Sequence, residues 1–539
     1  MTDDIERGAR PAVPPVSFWA PFASTPFLVI WSATLLGNLA TAMRELGAAW
    51  LMTTLSVSSA AVGMVKAAAA FPVLLLALPA GALADTINRR SLNIWINAIL
   101  AVVTAAIGQA ALTGALTPAL LIAAILVTGV GSALLQPTQQ SLVPLLVERE
   151  RLEQAVALNG MGLNISRAIG PAIAGVTVAA LGVAAAFYAN ALGYLVVIAA
   201  FLWWKGASTP ASGGLRESLP GAMAAGVRFV RHAPELRRVL ARLGGFVLLA
   251  SAYWTLLPVL VRRELAGTPG LYGYLLAAIG IGTAVTTFSL PWLRRKFSTE
   301  TIFRLGLGGT VLGLLGLALV RDPYSAALIG VVLGMSWLAS LTMANVAAQS
   351  YLPDWMRGRG MAIYLMVFAG AMTLGSPAWG TVADQTSVRL AFLAAGTAGV
   401  ALLVAVGMRP LPELPPDLKG ALHWWPEPHV HRPVPGDRGP VMVSIEYQVD
   451  PRRAGPFLIL LREISQERLR DGAYQWGVYE DVTVPGRYVE SFLFASWAEH
   501  DRQYHRLSRD DARREAMIVE FHLGPEPPVV RHLVAPPGV

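Results

Sequence analysis

Cysteine is absent from all 539 residues. Disulfide frameworks, thiolate metal centres and cysteine nucleophiles are therefore excluded. Charge is scarce as well: Asp, Glu, Lys and Arg make up 14% of the chain, against roughly 25% in an ordinary soluble domain. No signal peptide is expected either. The first 17 residues are polar and Pro-rich, with no short apolar core leading to a cleavage site, and read as a cytoplasmic tail.

In place of charge there is hydrophobicity: 54% of the chain is apolar and its mean hydropathy is +0.52. Apolar runs long enough to cross a bilayer, at about 1.5 Å per residue, lie near 27–52, 60–83, 91–112, 118–142, 154–179 and 183–204. A second set lies near 240–261, 271–293, 301–320, 324–350, 360–383 and 388–408. The expectation is an all-α polytopic membrane protein with twelve transmembrane helices in two sixes, residues 26–205 and 240–408. A tail (1–25), a central loop (206–239), a linker (409–440) and a soluble domain (441–539) complete it.

The net charge of +8 does not mark a nucleic-acid surface. Basic residues collect in alternate short loops: Arg89 and Arg90; Arg149 and Arg151; Arg294, Arg295 and Lys296; Arg357 and Arg359. That asymmetry follows the positive-inside rule and expects both termini in the cytoplasm. In the central loop, Met223, Val227 and Val230 fall on one side of a helix and Arg228 and Arg231 on another. A helix on the membrane surface and a solvated linker helix both fit that pattern.

The halves echo each other. Gln140-Ser141-Leu142-Val143-Pro144 is answered by Gln349-Ser350-Tyr351-Leu352-Pro353, and Gly170-Pro171 with Gly175 by Gly375-Ser376-Pro377 with Gly380. A duplicated six-helix unit in parallel orientation is implied. One lookalike is set aside: Gly380-Thr381-Val382-Ala383-Asp384 nearly spells the loop at Gly81, but the helix count puts it on the opposite side.

Gly81-Ala82-Leu83-Ala84-Asp85-Thr86-Ile87-Asn88-Arg89-Arg90 joins the second and third runs. It resembles the signature loop of the major facilitator superfamily of transporters. The segments 38–50, 157–160 and 167–171, with Asn345 to Gln349 and Arg357-Gly358-Arg359, resemble the branch of enterobactin exporters and transmembrane secretion effectors. Two departures stand out: Asn88 replaces the loop's usual Gly, and the fourth run lacks the Arg of many proton-coupled antiporters. The resemblance implies a proton-driven efflux transporter of a small organic molecule, such as a siderophore or drug, working by alternating access. It makes Gly81, Asp85, Arg89 and Arg90 a conformational latch. A plain positive-inside turn is the alternative for the loop alone.

Polar residues inside spans are the other candidates, because a buried charge costs at least about 2.5–3.5 kcal/mol by insertion scales. Glu45 is the carboxylate inside a span, suited to carry a proton or else paired with Arg44 or Lys66. Arg167 suits an anionic substrate or a structural ion pair. Asn38, Asn159, Asn345 and Gln349, with Gln136 and Asn164, are substrate-cavity candidates or hydrogen-bonded glue between helices. Gly170, Pro171 and Gly175, a helix-five motif by resemblance, serve as a hinge, a seal or close packing.

After residue 440 the pattern β-α-β-β-α-β predicts a small α+β ferredoxin-like domain. It resembles antibiotic-biosynthesis monooxygenases, which pair into dimers. A homodimer through this domain, a tethered enzyme and a non-transporting scaffold follow as alternatives. Trp476, Trp497, His500 and Tyr504 suit a pocket or a packed core, although the Asn used by haem-degrading relatives is absent. His423, His429 and His431 lack an orienting acid in sequence, so no metal site is expected, and no cofactor. The expected partners are a small-molecule substrate, the proton and the lipid bilayer, and no nucleic acid.

Overall fold

The computed structural model describes residues 17–86, 88–205, 219–411 and 433–536, with 417, 418, 420, 421, 423–425 and 430 in between. At 78, 81–86, 140, 141, 168 and 219–223 the backbone alone is described. Twelve described helices have the length and composition of membrane spans. The first six are α1 (Thr25–Leu55), α2 (Ser59–Thr86), α3 (Arg89–Thr113), α4 (Pro118–Leu146), α5 (Leu152–Leu181) and α6 (Val183–Trp203). A short α7 (Leu219–His232) leads to α8 (Pro234–Arg263), α9 (Pro269–Lys296), α10 (Thr299–Leu319), α11 (Pro323–Ser350), α12 (Arg357–Gln385) and α13 (Val388–Met408). We call the side where α1 begins and α13 ends the entry face, and the other the far face.

Local chemistry fixes where several spans begin. Ser24, Thr117, Thr268 and Asp322 each accept from a backbone N–H of the first turn, and a proline follows within two residues. Proline has no N–H to lose there, and its fixed φ suits the first turn. α8 starts ahead of its apolar run because its opening turns, with Glu235, Arg237 and Arg238, stand at the entry face.

Packing repeats between the halves. α1 packs on α5 and α6, α2 on α4, and α3 on α4 and α6. In the second half α8 packs on α12 and α13, α9 on α11, and α10 on α11 and α13. The halves meet mainly through α2 on α12 and α5 on α9. One apolar core joins them toward the far face, where Leu46, Trp50 and Val62 share neighbours with Tyr253, Leu256 and Leu260. Trp50 and Tyr272 stack there at 6.2 Å. Toward the entry face the cores separate, one around Phe27, Leu142 and Phe201, the other around Phe303, Met343 and Tyr351.

The C-terminal domain comprises β1 (Val441–Gln448), α14 (Ala454–Asp471), β2 (Gln475–Glu480), β3 (Arg487–Phe494), α15 (Trp497–Tyr504), α16 (Arg509–Val519) and β4 (Val529–Val534). Its antiparallel sheet has the order β2-β3-β1-β4, with Tyr447 opposite Tyr488 and Ile445 opposite Val530. Val441, Val443, Ile445 and Tyr447 alternate into its core with Phe457, Leu461 and Ile464 of α14.

This domain rests on the second half. Arg228 Nη2 lies 2.9 Å from Glu499 Oε1, the Arg506 guanidinium sits 4.2 Å above the Trp355 ring, and Phe229 meets Trp355 edge-on. The side of α7 that packs on protein is the other one. Val227 is exposed, whereas Ala225 and Phe229 are buried. Met223 lies among the side chains that are not described.

Many span crossings rely on glycine, which lets backbones approach. A methyl group on Gly334 would lie 1.9 Å from Ile279 O, whereas one on Gly358 would meet nothing. Gly334→Val is expected to destabilise the second half by about 1–3 kcal/mol, as overpacking does. Gly358→Ala should be near neutral. Thermal unfolding of the purified full chain in detergent distinguishes the two.

Candidate substrate cavity and its closure

A cavity of about 680 Å³ opens inside the first half. It runs from Phe27, Leu146 and Phe201 near the entry face to Thr41 and Arg167 at mid-depth. Helical spacing aims Trp31, Thr34, Asn38 and Thr41 along one side of α1. Asn159 and Arg167 come from α5, Gln136 and Gln139 from α4, and Asn97 from α3. Trp31 is fixed across the cavity by its Nε1 donating to Leu158 O at 3.0 Å. Among the described lining residues Arg167 is the one charged group, in a wall of amides, hydroxyls and apolar side chains.

Asn38, Gln136, Asn159 and Arg167 are thus brought together, as the candidate set required. Asn345 and Gln349 are not. They lie on α11 in the other half, where Gln349 Nε2 donates to Asn345 Oδ1 at 2.6 Å, so each satisfies the other within one helix. Asn97 and Gln139 were overlooked, although an amide within an apolar run was signal enough.

Glu45 lies off the cavity lining. Its exposed carboxylate stands close enough to Arg167 and to Tyr272 for their charges to interact. Arg44 is only a loose partner, at 3.9 Å, because its guanidinium is buried and donates to Thr128 Oγ1 at 3.2 Å. Lys66 sits 5.8 Å over the Trp254 ring. These contacts leave Glu45 within reach of the space between the halves.

Closure toward the far face comes from helices in backbone contact. A methyl group on Gly175 would lie 2.7 Å from Gly273 Cα, and one on Gly63 2.3 Å from Ser376 O. Gly170 instead faces Ala42 of α1, within the same half. On the entry face the backbone of α2 continues through Gly81 and Asp85, whose side chains lie outside the described residues. Asn88 caps α3, its Oδ1 accepting from Arg90 N at 3.0 Å and Ser91 N at 3.2 Å, which gives its departure from glycine a structural use. Arg90 donates to Phe201 O at 2.7 Å and Leu202 O at 3.1 Å, closing the C-terminus of α6. Arg89 opens α3, half-buried.

The transmembrane secretion effector family matches the chain over residues 16–537. The chain belongs to that family. It is 26% identical over 391 residues to the staphyloferrin A transporter of Staphylococcus aureus, covering 71% of this chain and 93% of that one. The multidrug efflux pump Tap of Mycolicibacterium fortuitum is 25% identical, with 68% and 92% covered. The enterobactin exporter EntS of Escherichia coli (strain SMS-3-5 / SECEC) is 28% identical, with 51% and 66% covered. A bacterial homologue of the lysosomal transporter Spinster, solved inward-facing and unoccupied, superposes with a TM-score of 0.56 at 14% identity, covering 72% of this chain and 96% of that one. The chain is a multi-pass membrane transporter of the major facilitator fold rather than an enzyme, like the relatives it matches.

Its C-terminal candidates pack inward. Trp476 Nε1 donates to Glu490 Oε1 at 2.9 Å, and Tyr504 OH to Trp425 O at 3.0 Å. His423 from the linker is buried too, its Nδ1 2.9 Å from Glu515 Oε1, and it stacks on Trp425 at 4.2 Å. The acid missing from the linker is supplied by α16. His429 and His431 lie outside the described residues, and no metal-ligating cluster occurs among the described ones. Arg468 is held between Glu490 and Glu515. Opposite that pair, His500 Nε2 and His532 Nδ1 are 3.0 Å apart. Burial first, then His532 and His423, push the His500 imidazole down to about 4, and burial also lowers His532.

Gly273→Val should force α5 and α9 apart and admit a membrane-impermeant maleimide from the far face to a Thr41→Cys side chain. The native glycine should block that labelling. Because the unfolded chain protonates its histidines near 6.5 while folded His500 resists until about 4, C-terminal domain stability should fall as pH drops through that window. Amide exchange at residues 487–504 reads this, and His500→Phe should flatten the dependence.

Proposed function

We propose that this transporter exports a small, oxygen-rich anionic molecule of siderophore type by alternating access, in exchange for protons. The carrying observation is a cavity lined by amides and a single guanidinium, under halves that are joined at the far face and apart at the entry face. Amides donate and accept to polyoxygenated solutes, and a guanidinium forks onto a carboxylate or catecholate. A lipophilic cation finds no acid among the described lining residues. Siderophore transport by two relatives supports the same class.

In this reading the entry face is cytoplasmic, which the basic loops on that side support, and the membrane is the bacterial inner membrane. The structure would then be the inward-open state. Glu45 is the proton carrier, gaining and losing charge as access alternates beside Arg167. Gly81, Asp85, Arg89 and Arg90 form the latch of the opposite, outward-open state, while Pro171 and Gly175 form the seal of this one and Gly170 packs α5 closely on α1. The identical pairing of helices in each half supports a parallel repeat. The strand order β2-β3-β1-β4 supports a ferredoxin-like domain. Its outer sheet face, with Val489, Leu493, Tyr479 and Leu533, suits a homodimer.

Inverted vesicles loaded with the full chain test the reading, using an iron-free citrate-based or catecholate siderophore. Uptake should collapse with a protonophore and with Glu45→Gln. Arg167→Gln should weaken apparent affinity about tenfold or more, the size of a lost charged hydrogen bond, while Gln349→Ala leaves it unchanged. Uptake indifferent to both the protonophore and Glu45→Gln would overturn the proton exchange.

A further inference from the structure

The segment that imitates the entry-face loop, Gly380 to Asp384, closes α12 at the far face. There it does chemistry of its own. Asp384 Oδ2 accepts from Ser58 Oγ at 2.6 Å, Oδ1 from Ser59 N at 2.6 Å, and Oδ2 again from Ala60 N at 3.0 Å. Those backbone N–H groups open α2, in the other half of the molecule. The first turn of any helix leaves such donors without intrahelical partners, and the helix dipole favours a negative charge beside them. A cap of this kind normally comes from the residue just before the helix. Here Ser58 serves Ala61 N at 3.3 Å, and the rest of the cap is delivered across the interface by a carboxylate more than 320 residues away in sequence.

The surrounding contacts support the same closure. A methyl group on Gly380 would lie 2.6 Å from Ala60 Cα, so only glycine lets the end of α12 come this close. Arg263, at the end of α8, donates to Val57 O and, at 3.3 Å, to Ser59 Oγ. Its neighbour Arg262 donates to Thr53 Oγ1 at 3.2 Å. The polar bonds between the halves thus gather on the stretch from Thr53 to Ala60, with Asp384 taking three of them.

We propose that Asp384 is the positioning residue that holds the far face shut: it caps α2 in trans, and the cap must be released each time the transporter opens to that side. Opening exposes the α2 donors and the Asp384 carboxylate together, so the contact sets the ratio of closed to open states without touching the solute. The inference rests on the chain being a transporter and is independent of solute, direction and coupling ion.

The absence of cysteine makes the test direct. Spin labels on Val57→Cys and Tyr324→Cys, both strongly exposed at the far face and in opposite halves, report its opening in the full chain in nanodiscs. Asp384→Ala should raise the long-distance, open population about tenfold relative to the closed one. Asp384→Asn, which keeps a carbonyl acceptor without the charge, should fall between the two. Ser58→Ala should shift the distribution in the same direction but less, and adding it to Asp384→Ala should do little more, since the bond between Ser58 and Asp384 is then already lost. An unchanged distribution in correctly folded Asp384→Ala, or full additivity with Ser58→Ala, overturns the proposal. If Asp384→Ala fails to fold, no shift in either Asp384→Asn or Ser58→Ala overturns it equally.

Discussion

Two helix crossings, α2 on α12 and α5 on α9, hold the halves of this transporter together, and both exist because glycine backbones touch. Within lipid there is no hydrophobic gain from hiding one apolar helix behind another, so association depends on close packing and on hydrogen bonds. Gly63 against Ser376, Gly380 against Ala60 and Gly175 against Gly273 provide the packing. All three lie toward the far face. The same two halves are therefore locked at one end and separate at the other, and the cavity is the space that the separation leaves. The aromatic stack of Trp50 on Tyr272 and the arginines that end α8 seal the same end.

Much of this was legible in the chain because membrane insertion is a demand on length and composition, which a sequence carries directly. The apolar runs became spans. Asn38, Asn159 and Arg167 were readable because a polar group in an apolar run needs a reason. The same reasoning grouped Asn345 and Gln349 with them, whereas the structure places those two on α11 in the other half. An amide can be satisfied by a partner one turn away on its own helix, and composition does not reveal that. Nor does it show which side of a helix meets protein: on α7 that is the side of Phe229, while Val227 is exposed.

The Gly380 to Asp384 segment teaches a different lesson. The helix count assigned it correctly to the side opposite the loop it imitates, and that was taken as grounds to set it aside. A carboxylate one turn after a close-packing glycine has the same physical abilities on either side of a membrane. What decides its use is which helix terminus lies within reach, and only the three-dimensional arrangement supplies that.

The boundary of the soluble domain is likewise not where the composition changes. His423 and Trp425 belong by sequence to the Pro-rich connector, yet they fill the interior between α14, α15 and α16, stacked on each other and on the guanidinium of Arg468. Gly420 and Ala421 reach the backbone near Leu507 and Ser508. A fragment begun at residue 441 would retain every strand and helix of the domain while leaving a hollow lined by Glu515, Gln503 and Arg468, three polar groups stripped of their neighbours. The connector is also the domain's missing stopper, so tension on α13 is pulled through its very centre.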